Sequence, residues 1–353
     1  MEQAHREFLD SLLETATPTG FETAGQRVFL DYVEPYADEV RTDTYGNAVA
    51  VHEGDPDVDT SVALAGHGDE IGLMVRDVTD DGFLKLTRIG GSDRTVTQGQ
   101  YVLVHGRDGP VSGVVGQTAI HLREGDDETP EISEMHVDIG ADDEAEATDL
   151  VETGDPITFD TRIRDLQGSL VAARGMDNRT GVWAAAEGFR RAVETDADAT
   201  VYAVSTVQEE IGRKGAEMIA YDLDPDVVLA ADVGHATDSP NAPNKGASLE
   251  LGSGPGIGRG AANHPVVADA VRAVADDEDI DVQLTASGLD TGTDAESFST
   301  ARGGQAALNV SIPNRYMHTP VEVIDTDDLD EMGELMGRFA ASAEEFAPFA
   351  VDI

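Results

Sequence analysis

Several short apolar runs in this chain end in side chains able to bind a metal ion. The run at residues 61–66 leads into His67-Gly68-Asp69-Glu70, and the run at 200–207 into Gln208-Glu209-Glu210. The run at 227–231 leads into Asp232, and the run at 305–312 leads a few residues later to His318. Histidine and carboxylate together suit hard or borderline divalent ions and the hydrolyses that such ions assist. Two ions about 3.5–4 Å apart need one shared carboxylate and further donors for each. Asp177, in Arg174-Gly175-Met176-Asp177-Asn178-Arg179, can supply the shared carboxylate. Taken alone, an aspartate just before a helix reads first as its N-cap. Glu209 and Glu210 are adjacent at a strand end. Neighbours in an extended segment point in different directions, so one can hold a metal while the other faces an attacking water. A bound cation would relieve their repulsion. In so acidic a chain a solvated pair is the plainer alternative.

The elements that must position these residues follow from the pattern. Apolar runs of this length between helical stretches read as strands buried on both faces. Helices are expected at residues 2–15, 22–36, 180–193, 215–221, 264–275 and 327–346, and a strand that turns back through Gly46-Asn47 at 42–52. Alternating strand and helix predicts an α/β sheet, and sites in such sheets form beyond the carboxyl ends of the strands. The polar clusters all sit at that end. Residues 73–167 differ: short alternating runs such as Phe83-Leu84-Lys85-Leu86-Thr87 are punctuated by Gly and Asp turns, which reads as a small antiparallel β unit. It lies between His67 and Asp177, which must meet in space. Residues 73–167 are therefore expected to be an insertion, and residues 1–72 plus 168–353 the catalytic domain. The acidic segments 125–130 and 141–148 read as surface loops.

Composition narrows the partners. The 353 residues include 70 Asp and Glu against 23 Lys and Arg, a net charge of −47, and the only lysines are Lys85, Lys214 and Lys245. Phosphate binding needs basic patches, so a nucleic-acid partner is not expected. Self-repulsion at this charge density opposes folding in dilute buffer. At ~1 M salt the Debye length is about 3 Å and the repulsion is screened. The chain thus reads as one adapted to a salt-rich, haloarchaeal cytosol. There is no cysteine, so any metal must be held by His and carboxylate. No apolar run is long enough for a membrane span, and the charged N-terminus has no signal core, so a cytoplasmic location is expected.

Five ordered motifs carry a resemblance over nearly the whole chain. They are His67-Gly68-Asp69-Glu70-Ile71-Gly72, Met176-Asp177-Asn178-Arg179-Thr180-Gly181, Val207-Gln208-Glu209-Glu210-Ile211-Gly212, Asp232-Val233-Gly234-His235-Ala236-Thr237-Asp238 and Arg315-Tyr316-Met317-His318-Thr319-Pro320. Together they resemble the signature of the TET aminopeptidases, also called deblocking or glutamyl aminopeptidases. The resemblance implies a zinc-peptidase-like catalytic domain, a mixed sheet flanked by helices, with an inserted β-barrel or PDZ-like dimerisation domain. It implies that His67, Asp177 and Asp232 hold one ion and Asp177, Glu210 and His318 the other. Glu209 would be the general base, Asp69 would orient His67, and the peptide bond after Asp177 would be cis. The ions would be Zn²⁺ or Co²⁺, with Mn²⁺ also fitting. Dimers would assemble into a hollow tetrahedral dodecamer acting on peptides. His235 and Asp294 match family motifs without an assigned role.

Other functions use some of these residues. A glycosidase would use Glu209 and Glu210, but its two acids must flank a bond about 5–9.5 Å apart, and His67, Asp232 and His318 would be idle. A metal-dependent deacylase would use similar ligands with a different pocket. A shell that binds peptides without cleaving them would leave the ligand set without a task.

Overall fold

The computed structural model describes residues 1–123, 128–240, 242–243 and 249–353. The chain opens with helices α1 (Gln3–Glu14) and α2 (Thr23–Val33), which bury Phe8, Leu9, Leu12 and Phe29. An antiparallel hairpin follows, β1 (Glu39–Thr42) and β2 (Ala48–His52). Its turn is held by the Asp43 carboxylate, which accepts the N–H groups of Tyr45, Gly46 and Asn47 at 2.8–3.0 Å. Next come β3 (Ser61–His67), β4 (Gly72–Val78), β5 (Leu84–Ile89), the short helix α3 (Arg94–Thr97), β6 (Tyr101–Gly106), β7 (Gly109–Val115), β8 (His136–Asp138), α4 (Glu144–Leu150) and β9 (Pro156–Phe159). The second half holds β10 (Arg164–Asp165), β11 (Leu170–Ala173), α5 (Met176–Glu194), β12 (Thr200–Thr206), α6 (Lys214–Leu223), β13 (Val227–His235), β14 (Gly256–Arg259), α7 (Pro265–Asp277), β15 (Gln283–Ala286), α8 (Ala295–Thr300), β16 (Ala306–Asn314), β17 (Glu322–Asp325) and α9 (Thr326–Ser342).

Eight strands form one mixed sheet in the order β1-β2-β12-β3-β13-β16-β14-β15, parallel through its centre from β12 to β16. Its central strands are mostly apolar because helices cover both faces. Val62 and Leu64 point into a core with α1, α5, α7 and α9. Ala63 and Ala65, on the opposite face, meet Ala216, Ile219 and Ala220 of α6 and Phe298 of α8. The barrel closes in the order β4-β5-β8-β7-β6-β9 around Leu73, Val75, Leu84, Leu86, Val102, Val104, Val137 and Ile157. Alternation in its strands follows from one face meeting this core and the other meeting solvent. Beyond β9 the chain leaves the barrel, and β10, β11 and β17 form a separate antiparallel sheet. The fold is the expected α/β catalytic sheet with a small β-barrel.

One expected loop is a helix. Within residues 141–148, Asp143 caps α4 by accepting the Glu146 N–H at 3.0 Å, acids fill the first turn, and Ala147 is buried in the barrel core. Of the loop expected at 125–130, residues 125–127 lie outside the described residues. Among the described residues no helix is long and apolar enough to cross a membrane.

Candidate metal centre

Two glycines bring the polar ends together. A Cβ on Gly66, the residue before His67, would lie 2.4 Å from the Gly181 carbonyl carbon. One on Gly181 would lie 2.4 Å from the Ala231 oxygen. Their missing side chains let the first turn of α5 drop onto β3 and β13. Asn178 fastens it there, donating from Nδ2 to the Ala231 oxygen at 2.8 Å and accepting the Gly181 N–H at 2.9 Å. Asp177 and Asn178 leave helical geometry, and the bond between them is cis. The N-cap position of α5 is Gly175, and no capping bond from Asp177 is formed among the described residues. The N-cap reading of Asp177 therefore fails.

Asp177 instead stands between two imidazoles. Its Oδ1 lies 3.2 Å from His67 Nε2 and its Oδ2 3.2 Å from His318 Nε2. His67 Nε2 is also 3.7 Å from Asp232 Oδ1, and His318 Nε2 3.8 Å from Glu210 Oε2. Two donor sets result, His67 with Asp177 and Asp232, and Asp177 with Glu210 and His318, each with its donor atoms within 4.8 Å of one another. Asp177 Oδ1 and Glu210 Oε1 are buried without a hydrogen-bond partner. Unpaired buried carboxylate oxygens beside imidazole nitrogens are what a divalent cation completes. The residues present fit two divalent ions per subunit.

The electrostatics agree. Burial pushes Glu209 up to about 9 and, with the Asp177 charge, Glu210 well above the carboxylate range. Burial also raises Asp232. Burial opposes charge on His67, yet Asp232, Asp177 and Asp69 around it hold its pKa well above the ordinary value. Burial would raise Asp177 too, but His318 and His67 hold it down. The raised carboxylate pKa values mark places where positive charge is needed, and divalent ions would supply it.

Two further carboxylates set the backbone around the donors. Asp69 accepts the N–H of Glu209 at 3.0 Å on Oδ1 and that of Glu210 at 3.2 Å on Oδ2. Its Oδ1 also lies 3.3 Å from His67 Nδ1, and Thr19 donates to its Oδ2 at 2.9 Å. Glu322, in β17, accepts the N–H of Asp177 at 3.1 Å and that of His318 at 2.9 Å. Burial raises Glu322 to about 8. The sequence reading missed Glu322; its one signal is a place four residues after His318, in a chain crowded with acid.

The structure brings all seven expected site residues together. Asp232 lies within β13, which runs three residues further to His235. Glu209 and Glu210 lie beyond the end of β12, with Glu210 opening a turn, and both line one cavity. Asp294 is buried, accepts from Thr206 Oγ1 at 2.5 Å, and burial raises it to about 7. His235 is exposed at the rim of that cavity.

A helix-flanked sheet carrying paired His and carboxylate sets at its carboxyl edge is the build of a metal-dependent hydrolase. A family model described as M42 glutamyl aminopeptidase matches residues 46–335, and the chain belongs to that family of metallo-aminopeptidases. It is 34% identical to a lysyl aminopeptidase of Pyrococcus furiosus over 97% of each chain. Among solved structures, a TET aminopeptidase from the marine sediment archaeon Thaumarchaeota archaeon SCGC AB-539-E09 superimposes with a TM-score of 0.92 at 30% identity, covering 99% of this chain and 100% of that one. A Pyrococcus horikoshii TET1 peptidase, which can assemble into a tetrahedron or a large octahedral shell, gives 0.85 at 30% identity, covering 95% and 99%.

Proposed function

We propose that this chain removes N-terminal residues from peptides, with His67, Asp177 and Asp232 holding one divalent ion and Asp177, Glu210 and His318 the other. The position of Asp177, one carboxylate oxygen toward each imidazole, carries this reading. Zn²⁺, Co²⁺ and Mn²⁺ all suit such donors. When bound, the ions acidify water and polarise the scissile carbonyl. Glu209 lines the same cavity without belonging to either donor set. It is free to accept a proton from the attacking water and pass it to the leaving amine. Asp69 keeps Glu209, Glu210 and His67 in register for that transfer.

Residues 1–72 with 168–353 are taken as the catalytic domain, and the barrel within 73–167 as the dimer contact. Dimers would build a dodecamer, a reading supported by the shells that the Pyrococcus horikoshii relative forms. The net charge of −47 supports work in a salt-rich cytosol.

The test is release of p-nitroaniline from aminoacyl-p-nitroanilides in molar KCl, before chelation, after it, and after return of Co²⁺ or Zn²⁺. Free-amine substrates are expected to be cleaved only with metal. Cleavage of N-acetylated substrates alone would favour a deacylase, and no cleavage would favour a peptide-binding shell. Light scattering in the same buffer measures the assembly.

A further inference from the structure

Resting on the aminopeptidase reading, we propose that the cavity beside the metal centre takes an uncharged first side chain, gripped by Asn309 and Ser311. The cavity holds about 530 Å³. One side is the metal centre. The other is lined by Leu249, Thr285, Ser287, Asn309, Ser311 and Met317, among others.

Among the described residues, charge on this wall is missing or spent. Among the described lining residues the only carboxylates are Asp177, Glu209, Glu210 and Asp232, which belong to the metal centre. The only lysine or arginine among them is Arg213, and its guanidinium is paired with Glu296 at 2.9 Å. A lysine or arginine side chain would lose its water here without gaining a counter-charge, and so would a glutamate.

What the wall offers is a neutral polar pair beside an apolar surface. Asn309 is 7% exposed, and its backbone is fixed by an N–H bond to Asn263 Oδ1 at 2.8 Å. Its Nδ2 donates to Ser311 Oγ at 3.0 Å, while its Oδ1 has no partner. Turned the other way, the amide would leave its nitrogen unpaired instead. Either way one end of the amide lacks a partner, which is costly in a buried place. Once the amide turns toward the cavity it lines, a hydroxyl or amide on the incoming side chain completes it. Leu249 supplies the apolar part. A Cβ on Gly234 would lie 2.4 Å from Leu249 Cδ1 and 2.9 Å from Ser311 Cβ, so Leu249 lies across Gly234 against the polar pair. Glutamine and leucine therefore suit the cavity.

The experiment measures kcat/KM of the metal-loaded protein in molar KCl on glutamine, leucine, lysine and glutamate p-nitroanilides. Glutamine and leucine are expected to exceed lysine and glutamate by about tenfold or more. In Asn309→Asp the lysine-to-leucine ratio should rise about tenfold. In Asn309→Leu the glutamine-to-leucine ratio should fall about tenfold, with leucine still cleaved. A wild-type preference for lysine or glutamate overturns the proposal alone, even should both variants fail to fold. Unchanged ratios in folded variants overturn the assignment to Asn309. Failure to cleave any of the four overturns the aminopeptidase reading and this inference with it.

Discussion

The barrel buries almost nothing that can carry charge, whereas the catalytic sheet gathers buried charge at one end. Among the described residues of the barrel, the buried polar side chains are Ser92, Thr97 and Thr158, and its core is aliphatic apart from Met135 and Phe159. At the carboxyl edge of the sheet, His67, Asp69, Glu70, Arg174, Asp177, Arg179, Asp232, Asp294 and Glu322 are all buried. The barrel is thus held by apolar area, which is indifferent to cations and pH. The site end of the sheet depends on pairing every charge it hides, because an unpaired buried charge is strongly destabilising. The two regions should answer to different perturbations.

The sharpest separation comes from Glu209→Gln. It should lower kcat about 10³-fold while metal analysis still finds both ions, since the residue lies outside both donor sets. Near-normal turnover would remove Glu209 from the mechanism. Leu86→Ala should destabilise the barrel by about 3 kcal/mol and leave metal affinity unchanged. Hydrogen exchange should show the loss confined to β4–β9, and spread into β3 or β13 would break the comparison. Glu322→Ala should weaken metal binding about tenfold to a hundredfold, with kcat largely kept at saturating metal. A titration with Co²⁺ or Zn²⁺ decides it, and unchanged affinity would reduce Glu322 to a structural bond.

The smallest effect concerns Glu70. Burial alone would raise its pKa, but Arg174 and Arg179 hold it at about 2, below the ordinary 4.5. As pH falls the unfolded chain takes up this proton first, so the ion pairs' contribution is full above the ordinary value and is lost toward the folded one. Denaturant melts should lose about 1 kcal/mol from this group between about pH 7 and about pH 4. In Glu70→Gln that share of the slope should vanish.

The sheet was legible because parallel strands covered on both faces must be continuously apolar, so the polar residue that stops each run stands out. His67 and Asp232 are of this kind. The barrel was legible through alternation. Asp177 was harder, since an aspartate ahead of a helix has an ordinary role, and only the packing of Gly66 on Gly181 gives it another. Helix α4 was hidden by its own acidity, with Ala147 its one buried residue. Glu322 could not be read at all from spacing, because its partners are backbone N–H groups of residues brought near by α5 and by the turn after β16.

Closure of the barrel has a consequence for how this molecule can meet others. Among the described residues every one of its strands has a neighbour on each side, so no whole strand edge is left free for an extended peptide to continue the sheet. Recognition by this unit falls to side chains. Tyr101 and Val114 sit opposite each other on β6 and β7 and are 69% and 39% exposed. A contact made there is one of shape, open to tuning by single substitutions, and a passing unfolded chain cannot imitate it by adding a strand.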